Sequence, residues 1–288
     1  MAIVVDKEAR AKINLSLLVT GRKSDGYHTL DSIIFFVSFC DRLSYRIDKE
    51  VSLDISGPFG DPLGNGRNNL IIQAAEAFKN KCQLNTGVAI TLEKNIPVSA
   101  GLGGGSANAA MTLLALNELY QTGLSFASLA EIGLTIGADV PVCLFGETAR
   151  VQGIGEKIQP FDFPHKFGVV LVNPRIPIST ARVFSRFNSD FSEVMSTDTL
   201  SELSEMQNFS SFKMLKNDLE LPATQLCPEI SEVLAALRSE DDCIVAGLSG
   251  SGPTCFGLFQ TCEEAERVVG RLRKWNTNWW LEATANNY

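Results

Sequence analysis

The stretch IPVSAGLGGGSANAAMTLLALNEL, residues 96–119, crowds Gly101, Gly103, Gly104 and Gly105 in front of an almost unbroken apolar run. Each glycine costs roughly 1 kcal/mol relative to alanine wherever the backbone must be ordered, so the loop is held to a shape that side chains would prevent. A glycine-rich loop between a strand and a helix places several backbone N–H groups around one concave space. The helix adds about half a positive charge at its start. Together these make a phosphate cradle. The two commonest versions do not match: Ser106-Ala107 stands where a Walker loop needs Lys-Ser or Lys-Thr, and Ser106 stands where a dinucleotide loop needs its third glycine. The competing reading is a tight turn that lets backbones pack closely. Against it, the helix that follows is apolar nearly all round, from Ala107 and Ala109 through Leu116. Such a helix is buried, and its free N–H groups need partners.

A second glycine cluster, GLSGSGPT at 247–254, also adjoins apolar strands. Alone it reads as a hairpin connection; paired with the first, it suggests a ligand held at a domain junction. Near the start, AKINLSL sets Lys12 and Asn14 two apart on one strand face, with Ile13 and Leu15 on the other. A lysine there is either a solvated edge charge or part of a polar pocket wall. Asp139 lies in the apolar stretch IGADVPVCLF. It is either a helix cap or a base held ionised by a nearby cation.

Composition narrows the function classes. The 288 residues, 45% hydrophobic and 20% charged, suffice for one large or two medium domains. A formal net charge of -8 argues against nucleic acid as a partner and leaves room for a local basic pocket. The seven cysteines lack a Cys-x-x-Cys pair, which points to reduced core thiols in a cytoplasmic protein. With two histidines, His28 and His165, no histidine-based metal site is expected. MAIVVDKEARAK does not resemble a secretory leader, and no apolar run reaches the roughly 20 residues of a membrane span. Nothing in the sequence specifies an oligomeric state.

Alternation predicts strands in KINLSLLV, LDSIIFFVSF and RLSYRI, three strands of an antiparallel sheet that VSLDIS continues. GPFGDPLGNGRNN is loop, after which Asn69 caps a helix with Leu70, Ile71, Ala74, Ala75 and Phe78 on one face. VAITLEKNI is a strand, SFASLAEIGLTIG a helix started by Ser125, and PVCLF and TARVQGIG read as strand and turn. Pro160 and Pro164 in and before FDFPHK suggest a boundary, giving domains 1–160 and 161–288. The second half reads as strand FGVVLVNP, polar helical segments over about 178–240, a strand–turn–strand at CIVAGLSGSGPTCFGLF, the helix CEEAERVVGRLRKW and a last short strand.

PVSAGLGGGSANAA, the early AKINLSL and the late GLSGSGPT resemble the three motifs of the small-molecule kinase superfamily named for galactose, homoserine, mevalonate and phosphomevalonate kinases. Within it, GRKSDGYHTLDSI and the triple-glycine loop resemble the family of kinases that phosphorylate the 2-hydroxyl of 4-diphosphocytidyl-2-C-methyl-D-erythritol, in the non-mevalonate route to isoprenoid precursors. The resemblance runs from about residue 9 to 260, and DGYHTL is its most specific part.

It implies a two-domain α/β (α+β) fold: an N-terminal mixed sheet with buried helices, a C-terminal ferredoxin-like domain, and an active site in the cleft. ATP, with Mg2+, would lie along Pro97, Val98, Ser99, Ala100, Gly101, Leu102, Gly103, Gly104, Gly105, Ser106 and Ala107, its phosphates against the N–H groups of Gly103 to Ser106. Asp139 would take the hydroxyl proton, and Lys12 would orient it and stabilise charge. Tyr27 would stack on cytosine, His28 would bond its edge, Asn14 would hold the erythritol part, and Phe184 would by position close the base's other face. Two departures stand out. Many members have Ser-Ser where this chain has Ser106-Ala107, and the tail WNTNWWLEATANNY has no evident counterpart. The alternatives are a sister kinase or the related diphosphomevalonate decarboxylase, neither of which needs Tyr27 and His28, and a catalytically silent ligand-binding member.

Overall fold

The chain begins with two long strands, β1 (Val4–Arg22) and β2 (His28–Asp48), which pair with each other. The computed structural model describes residues 3–61, 63–163, 166–204, 212 and 214–286. Pro164 and His165 lie outside the described residues, as does part of the polar stretch after 204. Contacts divide the chain into two compact units that interleave along the sequence. One takes Met1–Ala11, Phe39–Val98 and Gly103–Gly146; the other takes Lys12–Ser38, Ser99–Leu102 and Glu147–Tyr288. Both long strands therefore contribute to both units.

In the first unit, β4 (Gly87–Glu93) runs antiparallel to the distal half of β2 and parallel to β3 (Ser52–Ser56). Leu43, Tyr45, Leu53, Val88, Ile90 and Leu92 are buried at alternate positions, as a sheet with one covered face requires. Four helices accompany it: α1 (Leu70–Cys82), α2 (Gly104–Leu119), α3 (Phe126–Ile136) and α4 (Val140–Phe145). Asn69 caps α1 by accepting from the Ile71 N–H at 3.0 Å, and Ser125 caps α3 by accepting from Ser128. Ile71, Ala74, Ala75 and Phe78 form the buried face of α1, while Leu70 stays partly exposed. Helix α2 buries nine of its residues, among them Ala107, Ala110, Leu113 and Leu116. One point of contact with the sheet is polar: the Tyr45 and Thr112 hydroxyls bond at 3.1 Å. A Cβ on Gly133 would lie 2.8 Å from Val140 Cγ1, so glycine lets α3 and α4 pack closely.

Three local expectations change. LDSIIFFVSF and RLSYRI form one continuous strand, because the Cys40-Asp41 step that reads as a break is satisfied within the unit: Asp41 accepts from the N–H groups of Asn95 and Ile96 and from Lys94. VSLDIS joins the sheet in parallel. PVCLF, read as a strand, is the body of α4. A short apolar run fits either state, and here Asp139 starts a helical turn while Gly146, in the left-handed region at φ 72°, ends it.

In the second unit, Leu30–Ile34 of β2 pairs antiparallel with β5 (Ala149–Gly153), and β5 with β6 (Lys157–Pro160). A separate antiparallel sheet holds β7 (Gly168–Asn173), β8 (Val245–Leu248), β9 (Cys255–Phe259) and β10 (Trp280–Ala285) in the order β10-β7-β9-β8. With α8 (Glu229–Arg238) between β7 and β8 and α9 (Cys262–Trp275) between β9 and β10, this is the ferredoxin-like β-α-β-β-α-β pattern. The tail thus supplies an edge strand. Helix α9 opens with a Thr261–Glu264 capping box and turns Ala265, Val268, Val269 and Leu272 inward. Every residue of β7 is buried. The shorter helices α5 (Thr180–Arg186), α6 (Thr197–Ser204) and α7 (Glu220–Leu226) fill the polar stretch between β7 and α8.

Candidate active site

In the second unit the three sequence motifs meet around Lys12. Its side chain is 4% exposed, and its ammonium donates to Asn14 Oδ1 at 2.6 Å. Asn14 donates through Nδ2 to Ser32 Oγ at 2.9 Å, and Ser32 donates to the Ser16 carbonyl at 2.6 Å. The Lys12 N–H bonds the Leu102 carbonyl, the Thr254 N–H bonds the Ala100 carbonyl, and Ser249 Oγ bridges the Asn14 N–H and the Gly101 carbonyl. These bonds tie Ser99–Leu102, the first half of the glycine loop, to AKINLSL on one side and GLSGSGPT on the other. Glycine is needed for the fit. Gly101 has φ +77°, and a Cβ there would lie 2.5 Å from the Ser249 carbonyl oxygen. A Cβ on Gly250, at φ +58°, would lie 3.3 Å from Asn14 Oδ1. Lys12 is accordingly a buried, hydrogen-bonded cation and not a solvated edge charge.

The same unit places the aromatic candidates. His28 opens β2, four residues before Ser32. Its ring stacks on Phe184 with centroids 5.1 Å apart and meets the edge of Phe187 at 5.9 Å. Burial, then the nearby Arg22 charge, holds the His28 pKa below its ordinary value. Tyr27 is 64% exposed, at the end of a turn in which its N–H bonds Asp25.

The first unit holds Pro97, Val98 and the loop from Gly103 onward. Gly103 is the N-cap of α2 in the left-handed conformation, φ 66°, and has no side chain to cap the helix. The helix begins with the Ala107 N–H bonding the Gly103 carbonyl at 2.8 Å. By helix geometry the N–H groups of Gly104, Gly105 and Ser106 lack partners within α2. Ser106 Oγ lies 3.9 Å from where a Cβ on Gly137 would stand. Asp139, half-buried, occupies the N-cap position of α4, yet its side chain makes no capping bond. Asp139 and the Gly103–Ala107 turn belong to one unit, and Lys12, Asn14, Tyr27, His28 and Phe184 to the other.

Sequence reasoning passed over five participants. Ser249 and Ser32 complete the Lys12–Asn14 network, and Ser249 lay in plain sight within GLSGSGPT. Phe187 lies three residues from Phe184, a spacing that puts both rings on one side of a helical turn. Lys94 and Asp41 pair at the entry to the glycine loop with no local signal.

Comparison with known proteins shows the family. Residues 69–147 match the GHMP kinases N terminal domain and residues 195–278 the GHMP kinases C terminal domain. The 4-diphosphocytidyl-2-C-methyl-D-erythritol kinase of Parvibaculum lavamentivorans is 40% identical over 98% of both chains. The chain belongs to this kinase family. The enzyme of the same name from Cereibacter sphaeroides is 42% identical over 95% of this chain and 96% of its own. A crystal structure of a 4-(cytidine 5'-diphospho)-2C-methyl-D-erythritol kinase superposes with a TM-score of 0.81 and 34% identity, covering 99% of this chain and 100% of the other. The protein is thus an ATP-dependent kinase with the two-domain GHMP fold. Among the described residues no helix is long and apolar enough to cross a membrane.

Proposed function

We propose that this kinase transfers the γ-phosphoryl group of Mg-ATP to the 2-hydroxyl of 4-diphosphocytidyl-2-C-methyl-D-erythritol, in the cytoplasm, as a step of the non-mevalonate route. The observation that carries the substrate assignment is the strand from His28 to Ser32. It bears an aromatic-backed imidazole at one end and the Ser32–Asn14–Lys12 network at the other. Four residues of strand span about 13 Å. That separation suits a substrate whose base and reacting hydroxyl are linked through a diphosphate. A kinase for mevalonate or homoserine has no base for His28 and Phe184 to recognise.

Phosphoryl transfer asks for positioning and charge neutralisation more than covalent help. In this reading Pro97 to Ala107 line the nucleotide, and the uncapped N–H groups at the start of α2 hold its phosphates. The glycines fit that role because a Cβ on Gly101, Gly104 or Gly105 would run into Ser249, Lys94 and Ile96, or Leu70, so only glycine lets the loop take this shape. Mg2+, if bound with the nucleotide, would neutralise its phosphate charge. Lys12 stabilises negative charge that develops on the transferring group, and Asn14 holds the erythritol part. Asp139 accepts the proton that leaves the 2-hydroxyl as its oxygen bonds to phosphorus. Tyr27 stacks on the cytosine, His28 bonds its edge, and Phe184 closes the other side.

ADP release measured with the diphosphocytidyl alcohol, mevalonate and homoserine tests the assignment. Turnover confined to the cytidyl substrate is expected. Turnover with mevalonate or homoserine and none with the cytidyl compound would overturn it.

A further inference from the structure

The segment from Phe187 to Ser196 has neither helix nor strand, so its backbone depends on other groups for anchorage. It has two anchors, both within the second unit. At the first, the Ser192 N–H bonds the Val19 carbonyl at 2.8 Å, while Ser192 Oγ donates to Asp218 Oδ2 at 2.7 Å. At the second, Arg150 of β5 grips both carboxylate oxygens of Asp31, through Nε at 2.8 Å and an Nη at 2.6 Å. The same Nη donates to the Met195 carbonyl at 2.9 Å, and the Met195 N–H donates to Asp31 Oδ2 at 2.7 Å. The Met195 residue is therefore held by its own N–H and C=O between two charged side chains, one of them, Asp31, fully buried.

Isolating a carboxylate from water is costly, and a buried pair is weak evidence of stabilisation for its own sake. What the pair gains here is geometry. A planar guanidinium fork fixes direction as well as distance. The segment it fixes begins with the rings around His28: Phe191 stacks on Phe187 at 6.1 Å, and Phe187 meets the imidazole edge. Asp31 lies three residues after His28 on β2. The clamp thus ties the segment that carries the Phe187 and Phe191 rings to the strand that carries the imidazole.

We infer that the Asp31–Arg150–Met195 clamp sets the orientation of His28 through Phe187 and Phe191, which makes Arg150 a positioning residue for recognition of the cytidine base. The inference rests on the proposed substrate, so its test carries one readout that depends on the substrate and one that does not. The substrate-dependent readout is steady-state kinetics of Arg150→Gln, Arg150→Lys and Phe187→Leu in the full chain. In Arg150→Gln and Phe187→Leu, KM for the cytidyl substrate should rise roughly tenfold, the scale of one lost aromatic contact. KM for ATP should stay within about twofold, and Arg150→Lys should recover part of the loss. The independent readout is the proton resonance of the His28 ring, displaced by the Phe184 ring beside it. It should move toward the position of a free imidazole in Arg150→Gln and in Phe187→Leu.

An unmoved His28 resonance in the folded variants would overturn the inference, whatever the substrate. A lower melting temperature with both KM values unchanged would also overturn it, because that is a purely structural brace. Should Arg150→Gln fail to fold, Arg150→Lys, which keeps the charge and loses the planar fork, decides by the same two readouts. Wild-type enzyme inactive on the cytidyl compound would refute the substrate assignment alone and leave the resonance test in force.

Discussion

Lys94 donates to Asp41 across 2.6 Å, and both side chains are buried, at 2% and 0% exposure. The ammonium also reaches the Ile96 carbonyl at 2.5 Å, and Asp41 accepts from the Asn95 and Ile96 N–H groups. The pair therefore fixes the backbone just before Pro97, where the glycine loop starts. A Cβ on Gly104 would lie 3.2 Å from the Lys94 ammonium, so the same cation packs under the first residue of α2. Burial pushes the Lys94 pKa down, and Asp41 pulls it back up.

Removing one partner of such a pair leaves an uncompensated buried charge. Lys94→Met is expected to cost about 3–5 kcal/mol in urea unfolding, and Asp41→Leu a similar amount. The double variant should cost less than the sum of the singles, since neither charge remains. Strict additivity would show that the two groups do not depend on each other.

The close approach of the glycine loop to GLSGSGPT gives a second expectation. Gly101→Ala meets the Ser249 and Gly252 carbonyl oxygens at 2.5 and 2.8 Å and must also hold φ +77°. Gly123→Ala has a similar positive φ, +65°, but nothing within 4 Å of the new Cβ. The second variant should lose about 1 kcal/mol from backbone strain alone. The first should lose clearly more, and its melting temperature should fall further. Equal losses would mean that the close approach contributes nothing.

His28 supplies a pH dependence. Its pKa is lowered in the fold, by burial and then by Arg22, so the unfolded chain binds the proton more readily. Stability is therefore complete above the ordinary histidine value of about 6.5 and declines as pH falls below it. If neutral imidazole bonds the base, KM for the cytidyl substrate should be flat from about pH 8 to 6.5 and rise only below that. Arg22→Gln should move the onset to higher pH, because one cause of the shift is gone. An imidazole titration by NMR checks both; an onset at or above 6.5 in the unaltered enzyme would remove the shift from the account.

Residue patterns exposed the elements that rest on local chemistry. The Asn69 and Ser125 caps, the inward face of α9 and the hairpin through GLSGSGPT follow from neighbours within a few positions. The α4 segment was misjudged for the same reason, because five apolar residues carry no period long enough to separate strand from helix. Interleaving of the two units has no mark in the sequence: the exchanges at Ala11/Lys12 and Ser38/Phe39 fall inside uninterrupted strands. The site was legible where motifs are contiguous, in AKINLSL and the glycine loops. Its supports were not. Asp41 and Lys94 are 53 residues apart and Asp31 and Arg150 are 119 apart, and a charged residue in a strand reads as solvated until its partner is seen.

Asp139 separates chemistry from scaffolding. It stands at the N-cap position of α4 without making a capping bond, so helix capping does not account for a carboxylate there. As the general base of the proposed reaction, it must accept the hydroxyl proton. Asp139→Asn keeps the size and loses that capacity. A positioned base contributes on the order of 10²–10⁴-fold, and single-turnover phosphoryl transfer should fall by about that factor. Affinity for nucleotide and for the cytidyl substrate, measured by calorimetry, should be retained, because the loss belongs to the transition state. Lys12→Met should also slow transfer, and its melting temperature should drop as well, since Asn14 loses the buried donor it now accepts from at 2.6 Å. Near-normal transfer by Asp139→Asn would refute the base assignment, and unfolding of that variant would show that the carboxylate serves the fold instead.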